Sequence, residues 1–183
     1  MREIALHILD LIENSLRAGA SAIAVTVEAI PEKDLLRIVV EDNGSGLKVP
    51  PETVLDPFYT TKRGKRTGLG LSLFRAAAEA TGGRLAIGKS DLGSVGVKVT
   101  VDMGLTHVDR NPLGDLASTF SSVVCTNPEI DFRFRLRCGD RECSLRVVDL
   151  AKELGIDSRD GLALARTVLE RINAELQSSG VLT

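Results

Sequence analysis

Apolar residues recur every three or four positions along residues 2–18, and this spacing predicts an α-helix. They cover more than one side of the helix, so we expect it to be buried on two sides until Gly19 ends it. Residues 69–81 show the same spacing, and the glycine pair at 82–83 marks their end. Two helices are therefore expected in the first half of the chain.

Strands are predicted where β-branched and other apolar residues form short segments between turns. Residues 23–28 and 35–41 form one pair, joined by a polar turn at 31–34 that suits an antiparallel hairpin. Residues 84–89 and 95–101 form another pair. The order of helix, two strands, loop, helix and two strands predicts an α/β (α+β) fold. In this two-layer sandwich, helices cover one face of a mixed, mostly antiparallel sheet.

A loop at residues 47–67 separates the second strand from the second predicted helix. It has little periodicity, contains Pro50, Pro51, Pro57 and Gly64, and has room for one short helix. Loops of this length inside a compact domain are usually functional. We therefore expect this segment to form a lid over a binding site.

A polar stretch after residue 104 divides the chain, and we expect an N-terminal domain over 1–106 and a small α+β unit over 107–183. A unit of this size buries a modest core, so it should depend on packing against the first domain or on a partner. The elements predicted within it are a helix at 113–124, a hairpin of 130–137 with 142–148, and a helical pair at 150–154 and 161–176.

Composition narrows the classes of partner. Apolar residues make up 43% of the 183 residues, which is enough for a packed core, while one Tyr, five Phe and no Trp leave few rings to stack on bases. The net charge of −2 gives no electrostatic reason to expect nucleic acid or an anionic membrane as a partner. No apolar run approaches the roughly 20 residues of a membrane span. We therefore expect a cytoplasmic protein with no membrane partner.

Three cysteines occur, at positions 125, 138 and 143. Their odd number, in a chain that shows no export signal, argues against a disulfide framework. Cys138 and Cys143 flank a predicted turn and could ligate a metal or an iron–sulfur cluster, but such sites usually need four ligands. Small hydrophobic side chains packed in the core are the favoured interpretation.

A polar stripe runs along the first predicted helix. His7, Asp10, Asn14 and Arg17 follow at steps of three or four residues, so they share one face. Such a stripe should face water or a cleft, because burying unpaired polar groups is costly. The carboxamide oxygen of Asn14 is a hard ligand that Mg²⁺ accepts beside phosphate oxygens. Asp10 could act as a general base.

A second polar segment, Asp42 to Gly46, follows the second strand. An ordinary turn has the same composition. A carboxylate held at the end of a strand can, however, accept a hydrogen bond from an exocyclic amine. Gly44 and Gly46 would then let the backbone approach a flat purine ring.

The segment Gly68, Leu69, Gly70 and Leu71 opens the helix predicted at 69–81. Backbone N–H groups and the positive helix end would be available there to a phosphate. A basic cluster that includes Lys62 lies just before it, and phosphate is its favoured target. The segment lacks the Gly-Lys-Thr/Ser of a P-loop, and the Rossmann motif is missing. Together these segments indicate a site for Mg²⁺ and ATP.

At these segments the chain closely resembles the GHKL superfamily, which includes histidine kinases, anti-sigma serine kinases, gyrase-type topoisomerases, Hsp90 chaperones and mismatch-repair ATPases. The resemblance covers residues 1–102. It implies a Bergerat fold, with Asn14 on the magnesium ion, Arg17 on phosphate and Asp42 on the adenine amine. It further implies that Gly44 and Gly46 shape the base pocket, and that Gly68, Leu69, Gly70 and Leu71 form the hinge of a short lid.

Two positions depart from the superfamily pattern. Members that hydrolyse ATP or phosphorylate serine carry Glu as the base, four residues before the Asn, where this chain has Asp10. The motif before the last strand, usually Gly-Thr, is Gly93-Ser94 here, which makes Ser94 a candidate nucleotide contact. Gly96-Val97 is an alternative register.

The whole chain also resembles small stand-alone histidine-kinase-like ATPase proteins that are encoded beside hydrogenase genes in anaerobic bacteria. The shared motifs include Asp-Pro-Phe at 56–58, Gly-Leu-Gly-Leu-Ser-Leu-Phe at 68–74 and the Asp-Arg-x-Pro-Leu-Gly-Asp that spans 109–115. This resemblance assigns no role to the C-terminal unit.

The sequence therefore predicts a Mg-ATP-binding regulatory protein with an unidentified protein partner. Slow ATP hydrolysis or phosphotransfer of the anti-sigma serine kinase type is one possibility, and an ATP-responsive protein-binding module without catalysis is the alternative. A DNA-binding regulator is a third, because residues 149–158 resemble the first helix and turn of a helix-turn-helix. Gly161 and the acidic charge of the unit argue against it.

Overall fold

A computed structural model describes residues 3–56 and 69–179 of the chain. Six strands and six α-helices are described within these ranges. In chain order they are α1 Ile4–Arg17, β1 Ala22–Ile30, β2 Leu35–Asp42, α2 Pro51–Val54, α3 Leu69–Glu79, β3 Arg84–Lys89, β4 Val97–Gly104, α4 Leu116–Thr126, β5 Asp131–Cys138, β6 Arg141–Arg146, α5 Val147–Leu154 and α6 Gly161–Ser179.

The strands form one sheet in the order β3-β4-β2-β1-β5-β6. Every neighbouring pair is antiparallel except β1 and β5, which run parallel with Val25 opposite Phe134. The predicted mixed, mostly antiparallel sheet is confirmed. This parallel pair joins the two predicted units of the chain in one sheet. The strand β5 of the C-terminal unit lies beside β1 of the N-terminal domain.

One face of the sheet carries the core. Alternate residues of β1 and β2 are buried, as the period of two in a strand requires, and the residues between them are half-exposed. Phe120 of α4 stacks on Phe134 at 4.3 Å between ring centroids, and Phe132 lies 5.8 Å from Phe134. Burying each such ring stabilises the fold by about 1.5–3 kcal/mol. The helices cover this face, as predicted.

The segment just before α4 is hydrogen-bonded to the first helix. The carbonyl oxygens of Pro112 and Leu113 accept hydrogen bonds of 2.9 Å from the backbone N–H groups of Ile4 and Ala5. These donors lie in the first turn of α1 and have no partner within the helix. The segment before α4 therefore caps the helix that carries the predicted site residues.

The ends of several elements differ from the prediction for local reasons. The helix predicted from 113 begins at Leu116, because the Asp115 side chain caps it by accepting a 2.8 Å hydrogen bond from the Ser118 N–H. The strand predicted from 95 begins at Val97, after Gly96 with its φ of +138°. Such a backbone conformation interrupts a strand.

The cysteines pack as small side chains in the described structure. Cys138 and Cys143 are free, half-buried and in contact with the core, and burial raises the pKa of the Cys143 thiol.

In the part of the chain that the structure describes, no helix is long and apolar enough to cross a membrane.

Candidate functional site

The end of α1, the loop after β2 and the loop before β4 meet at one end of the sheet. A Cβ added at Gly44 would lie 3.0 Å from the Cβ and from the carbonyl oxygen of Ala18, directly after α1. A Cβ at Gly96 would overlap the carbonyl oxygen of Asp42. Segments that are far apart in the sequence therefore come together around the end of β2.

The Asp42 carboxylate stands at the centre of this meeting point. It is 5% exposed and accepts a 2.7 Å hydrogen bond from the Ser15 hydroxyl on Oδ2. Its Oδ1 accepts from the backbone N–H groups of Gly44 at 2.9 Å and Val97 at 3.3 Å. Contacts from three segments fix the orientation of the carboxylate. Because a carboxylate has about four acceptor sites, it has capacity for one further donor.

The loop after β2 depends on its glycines. A side chain at Gly44 would meet Asp42 Oδ1 at 3.2 Å as well as Ala18. Gly46 has a φ of +72°, and a Cβ there would stand 2.9 Å from Val95 Cγ1. Both positions therefore favour glycine for steric reasons, because Ala18 and Val95 occupy the space that a side chain would need.

The sequence allows two registers for the motif before β4, and the two pairs of residues lie in different places in the structure. Ser94 is exposed, and no hydrogen bond links it to Asp42. Gly96 packs against the backbone of Asp42, and Val97 donates to its carboxylate. The pair Gly96-Val97 is thus the one beside Asp42, and a nucleotide contact by Ser94 stays a prediction.

The polar stripe of α1 is only partly as predicted. Asp10 and Asn14 are half-buried and Arg17 is exposed. His7, expected to face water or a cleft, is instead 2% exposed and stacks on Phe74 of α3, with 4.6 Å between centroids and 3° between planes. That expectation was wrong for His7, because its ring packs between α1 and α3 against a ring of the second helix.

Arg17 is the last residue of α1 and the last residue of the polar stripe. Its NH1 group donates a 2.6 Å hydrogen bond to Asn14 Oδ1, and its NH2 group forms an ion pair with Glu13. Residues three and four positions apart lie on one helix face, which explains the arrangement. The oxygen predicted to bind magnesium is therefore in contact with a guanidinium.

Helix α3 begins beside the middle of α1. A Cβ at Gly70 would lie 3.4 Å from Asp10 Oδ2, so a larger side chain would press on this carboxylate. Leu71 packs against the core and anchors the first turn, and Leu69 is the first residue of the helix. The structure thus brings Asp10 together with the start of α3, where unpaired helical N–H groups are expected.

Two predicted site residues, Lys62 and Gly68, lie outside the described residues, as does most of the expected lid. Of residues 47–67, positions 47–56 are described and contain the short helix α2.

Sequence reasoning missed Ser15 and Asn43. Ser15 lies on the buried side of α1, and a buried hydroxyl needs a hydrogen-bond acceptor. From this requirement the sequence could have indicated that Ser15 bonds to another polar group. Asn43 Oδ1 accepts 2.9 Å hydrogen bonds from the N–H groups of Ser21 and Ala22. It fastens the loop after β2 to the start of β1, and nothing local in the sequence indicates this.

The helix-turn-helix alternative concerns α5 and α6. A recognition helix must present its N-terminal residues to DNA. A Cβ at Gly161, the first residue of α6, would lie 3.2 Å from the carbonyl carbon of Cys125 in α4, and Leu164 is 1% exposed. Gly161 and Leu164 are therefore packed against the rest of the protein, whereas Leu162, between them, is 75% exposed.

The described residues fit a magnesium nucleotide. Asn14 supplies a hard oxygen atom of the kind Mg²⁺ takes beside phosphate. Asp42 supplies a fixed buried acceptor at the start of the loop that contains Gly44 and Gly46. Leu47 and Val95, at 39% and 52% exposure, add apolar surface on either side of this loop.

Comparison with known proteins agrees with this geometry. Residues 2–107 match the family model of the histidine kinase-, DNA gyrase B- and HSP90-like ATPases. An uncharacterized sensor-like histidine kinase of Rhizobium meliloti (strain 1021) is 27% identical over 172 residues, which cover 87% of this chain and 31% of that protein. Sensor kinase CckA of Brucella abortus (strain 2308) is 41% identical over 67 residues, 36% of this chain and 7% of that one. The chain thus spans less than a third of the length of these relatives.

Among solved structures, the N-terminal domain of a DNA repair protein superposes with a TM-score of 0.56 at 12% identity. The match covers 80% of this chain and 52% of that one. At this identity the likeness shows the fold alone.

Proposed function

The chain belongs to the histidine kinase-, DNA gyrase B- and HSP90-like ATPase family, and we propose that it is a regulatory protein that binds Mg-ATP at the end of β2. The observation that carries the proposal is the Asp42 carboxylate, which is buried and fixed by Ser15, Gly44 and Val97. A buried carboxylate is costly unless it is well hydrogen-bonded. Its fixed orientation suits a site that selects one donor group of a ligand.

Base recognition follows from this carboxylate. The exocyclic amine of adenine donates hydrogen bonds, whereas guanine presents a carbonyl oxygen at the same position, which a carboxylate repels. The exposed side chains of Leu47 and Val95, next to the loop that contains Gly44 and Gly46, would offer apolar contact with the faces of the ring. The site therefore favours ATP over GTP.

The phosphates would lie along α1 toward the start of α3. Asn14 would bind the magnesium ion through its side-chain oxygen, and Arg17 would pair with a phosphate. Lys62 and the Gly68 to Leu71 segment would complete the phosphate contacts, as the family resemblance implies. When bound, the metal ion would neutralise part of the charge on the phosphates.

Slow hydrolysis or phosphotransfer to a protein is part of the proposal, with Asp10 as general base. Aspartate is shorter than glutamate by one methylene, about 1.5 Å, and such a displacement weakens a reaction that needs close geometry. Binding without turnover, in an ATP-responsive protein-binding module, is the second candidate. The shortened base favours it.

Isothermal titration with ATP and with GTP tests the proposal. The parent should bind ATP more tightly than GTP, and Asp42→Asn should weaken ATP binding at least about tenfold, because a hydrogen bond to a charged group is lost. Asn14→Ala should remove the dependence on Mg²⁺. Asp140→Asn, on the exposed turn between β5 and β6, is the matched control and should bind like the parent. If both site variants also matched the parent, the site assignment would be wrong.

A further inference from the structure

The Arg17 side chain covers the atom that the proposed function assigns to magnesium. A carboxamide has a single oxygen, and in Asn14 this oxygen accepts the 2.6 Å hydrogen bond from Arg17 NH1. The remaining side-chain group of Asn14 is an NH₂ donor, which cannot ligate a cation. The Arg17 guanidinium therefore occupies one of the two acceptor positions of the oxygen that would hold the metal ion.

A guanidinium and a divalent cation cannot share this oxygen at low cost, because two positive charges would then lie within a few ångströms of each other. Arg17 is also held from its other side by Glu13, and the Arg17 and Glu13 side chains are each 47% exposed. These side chains can rearrange without disturbing the core. The guanidinium has two groups engaged and further N–H donors available for a phosphate.

We infer that Arg17 reversibly blocks the magnesium ligand Asn14 and is displaced by the phosphates of the nucleotide. We call this arrangement the Arg17 lock. Without nucleotide it occupies Asn14 Oδ1. When a polyphosphate arrives, the guanidinium moves to the phosphate oxygens, a stronger anionic partner, and the Asn14 oxygen becomes free for the metal ion. This inference rests on the proposed function and adds its regulation: phosphate must release Arg17 before Mg²⁺ can bind.

The consequence is a coupling between the two ligands. In the parent, nucleotide binding removes the lock and thereby increases the affinity for Mg²⁺, and by thermodynamic reciprocity Mg²⁺ increases the affinity for nucleotide by the same factor. Without the Arg17 side chain, the Asn14 oxygen is free in both states. The part of the coupling that passes through Arg17 then disappears, while direct attraction between metal and phosphate remains.

The test measures ATP affinity by calorimetry in EDTA and in Mg²⁺, for the parent, Arg17→Ala and Arg171→Ala. The ratio of the ATP affinity in Mg²⁺ to the ATP affinity in EDTA should be at least about fivefold smaller in Arg17→Ala than in the parent. Fivefold is the lower end of typical couplings. Loss of a phosphate contact alone would weaken binding in EDTA at least as much as binding in Mg²⁺, because metal-free ATP is more negative, and so it would not lower the ratio. Arg171→Ala removes a comparable exposed pair with Glu153, on α6 and α5, and should keep the parent ratio.

A second measurement follows Arg17 directly. In ¹H–¹⁵N spectra of arginine side chains, with the Arg17 signal assigned through Arg17→Lys, ATP in EDTA should shift the signal and Mg²⁺ alone should leave it in place. A shift with Mg²⁺ alone, or an equal affinity ratio in the parent and Arg17→Ala, would overturn the lock. If Asp42→Asn still lost ATP in that case, the proposed function would stand. A parent protein that bound no ATP would overturn both.

Discussion

The Ser15 hydroxyl donates a 2.7 Å hydrogen bond to Oδ2 of Asp42, and both residues are buried. Ser15 follows the predicted magnesium ligand Asn14 on α1, and Asp42 is the predicted adenine ligand at the end of β2. This hydrogen bond therefore fixes the distance between the helix that would hold the phosphates and the strand that would hold the base.

Replacing Ser15 by Ala should weaken both stability and base selection. The change leaves Asp42 Oδ2 buried without this donor, and we expect the free energy of unfolding to fall by about 1–2 kcal/mol. ATP affinity should fall with it, because the carboxylate loses its fixed orientation. Urea denaturation and calorimetry measure the two effects. Ser122→Ala, on the exposed side of α4, is the control and should alter neither.

Gly96→Ala should be strongly destabilising. Its φ of +138° is unfavourable for a side chain, and the new methyl group would overlap the carbonyl oxygen of Asp42. We expect the loss to exceed about 2 kcal/mol in the free energy of unfolding. Gly88→Ala, where nothing lies within 4 Å, is the matched control. Equal denaturation midpoints for the two variants would contradict the packing of this loop.

Much of the fold followed from local patterns. The strand at 84–89 was predicted with its observed ends, and every helix of more than four residues was placed within a few positions, because periodicity reports the buried face directly. The position of β5 was not predicted. A strand pattern shows which residues face the core, but the pairing of Val25 with Phe134 joins strands far apart in the sequence.

The site residues show the same difference between local patterns, which the sequence reveals, and contacts between distant residues, which it does not. Asp42 and Asn14 are predicted as ligand contacts because their chemistry is visible in short motifs, and these roles stay predictions. Ser15 was missed because its partner lies 27 residues away, and His7 was misplaced because Phe74, the ring on which it stacks, belongs to another helix.

Removing residues 107–183 should prevent cooperative folding of the remaining chain. The truncation deletes β5, which leaves the buried strand β1 at an open edge, and it removes the carbonyl groups of Pro112 and Leu113 that cap α1. Circular dichroism during urea denaturation should show a broad, shallow transition. A sharp transition at the parent midpoint would mean that the first 106 residues fold independently.

Asp131 should contribute stability that depends on pH. Burial raises the pKa of its carboxyl, but the guanidinium groups of Arg146 and Arg133 outweigh this effect and hold the pKa below its usual range. A lowered pKa in the folded state stabilises the protein at pH values above the unfolded pKa of about 3.9. Asp131→Asn should therefore be less stable than the parent at pH 7. The difference should shrink as the pH falls through the range below 4, whereas Asp140→Asn should follow the parent throughout.

Changes at Asp10 should separate turnover from binding. A positioned general base accelerates a reaction by roughly 10²–10⁴-fold, and a carboxylate displaced by more than an ångström retains part of this effect. Asp10→Glu should therefore raise the rate of phosphate release from saturating Mg-ATP by roughly tenfold. Asp10→Asn should lower any residual rate while calorimetry shows unchanged nucleotide affinity. If Asp10→Asn released phosphate as fast as the parent, Asp10 would not be the base, and binding without catalysis would describe the protein better.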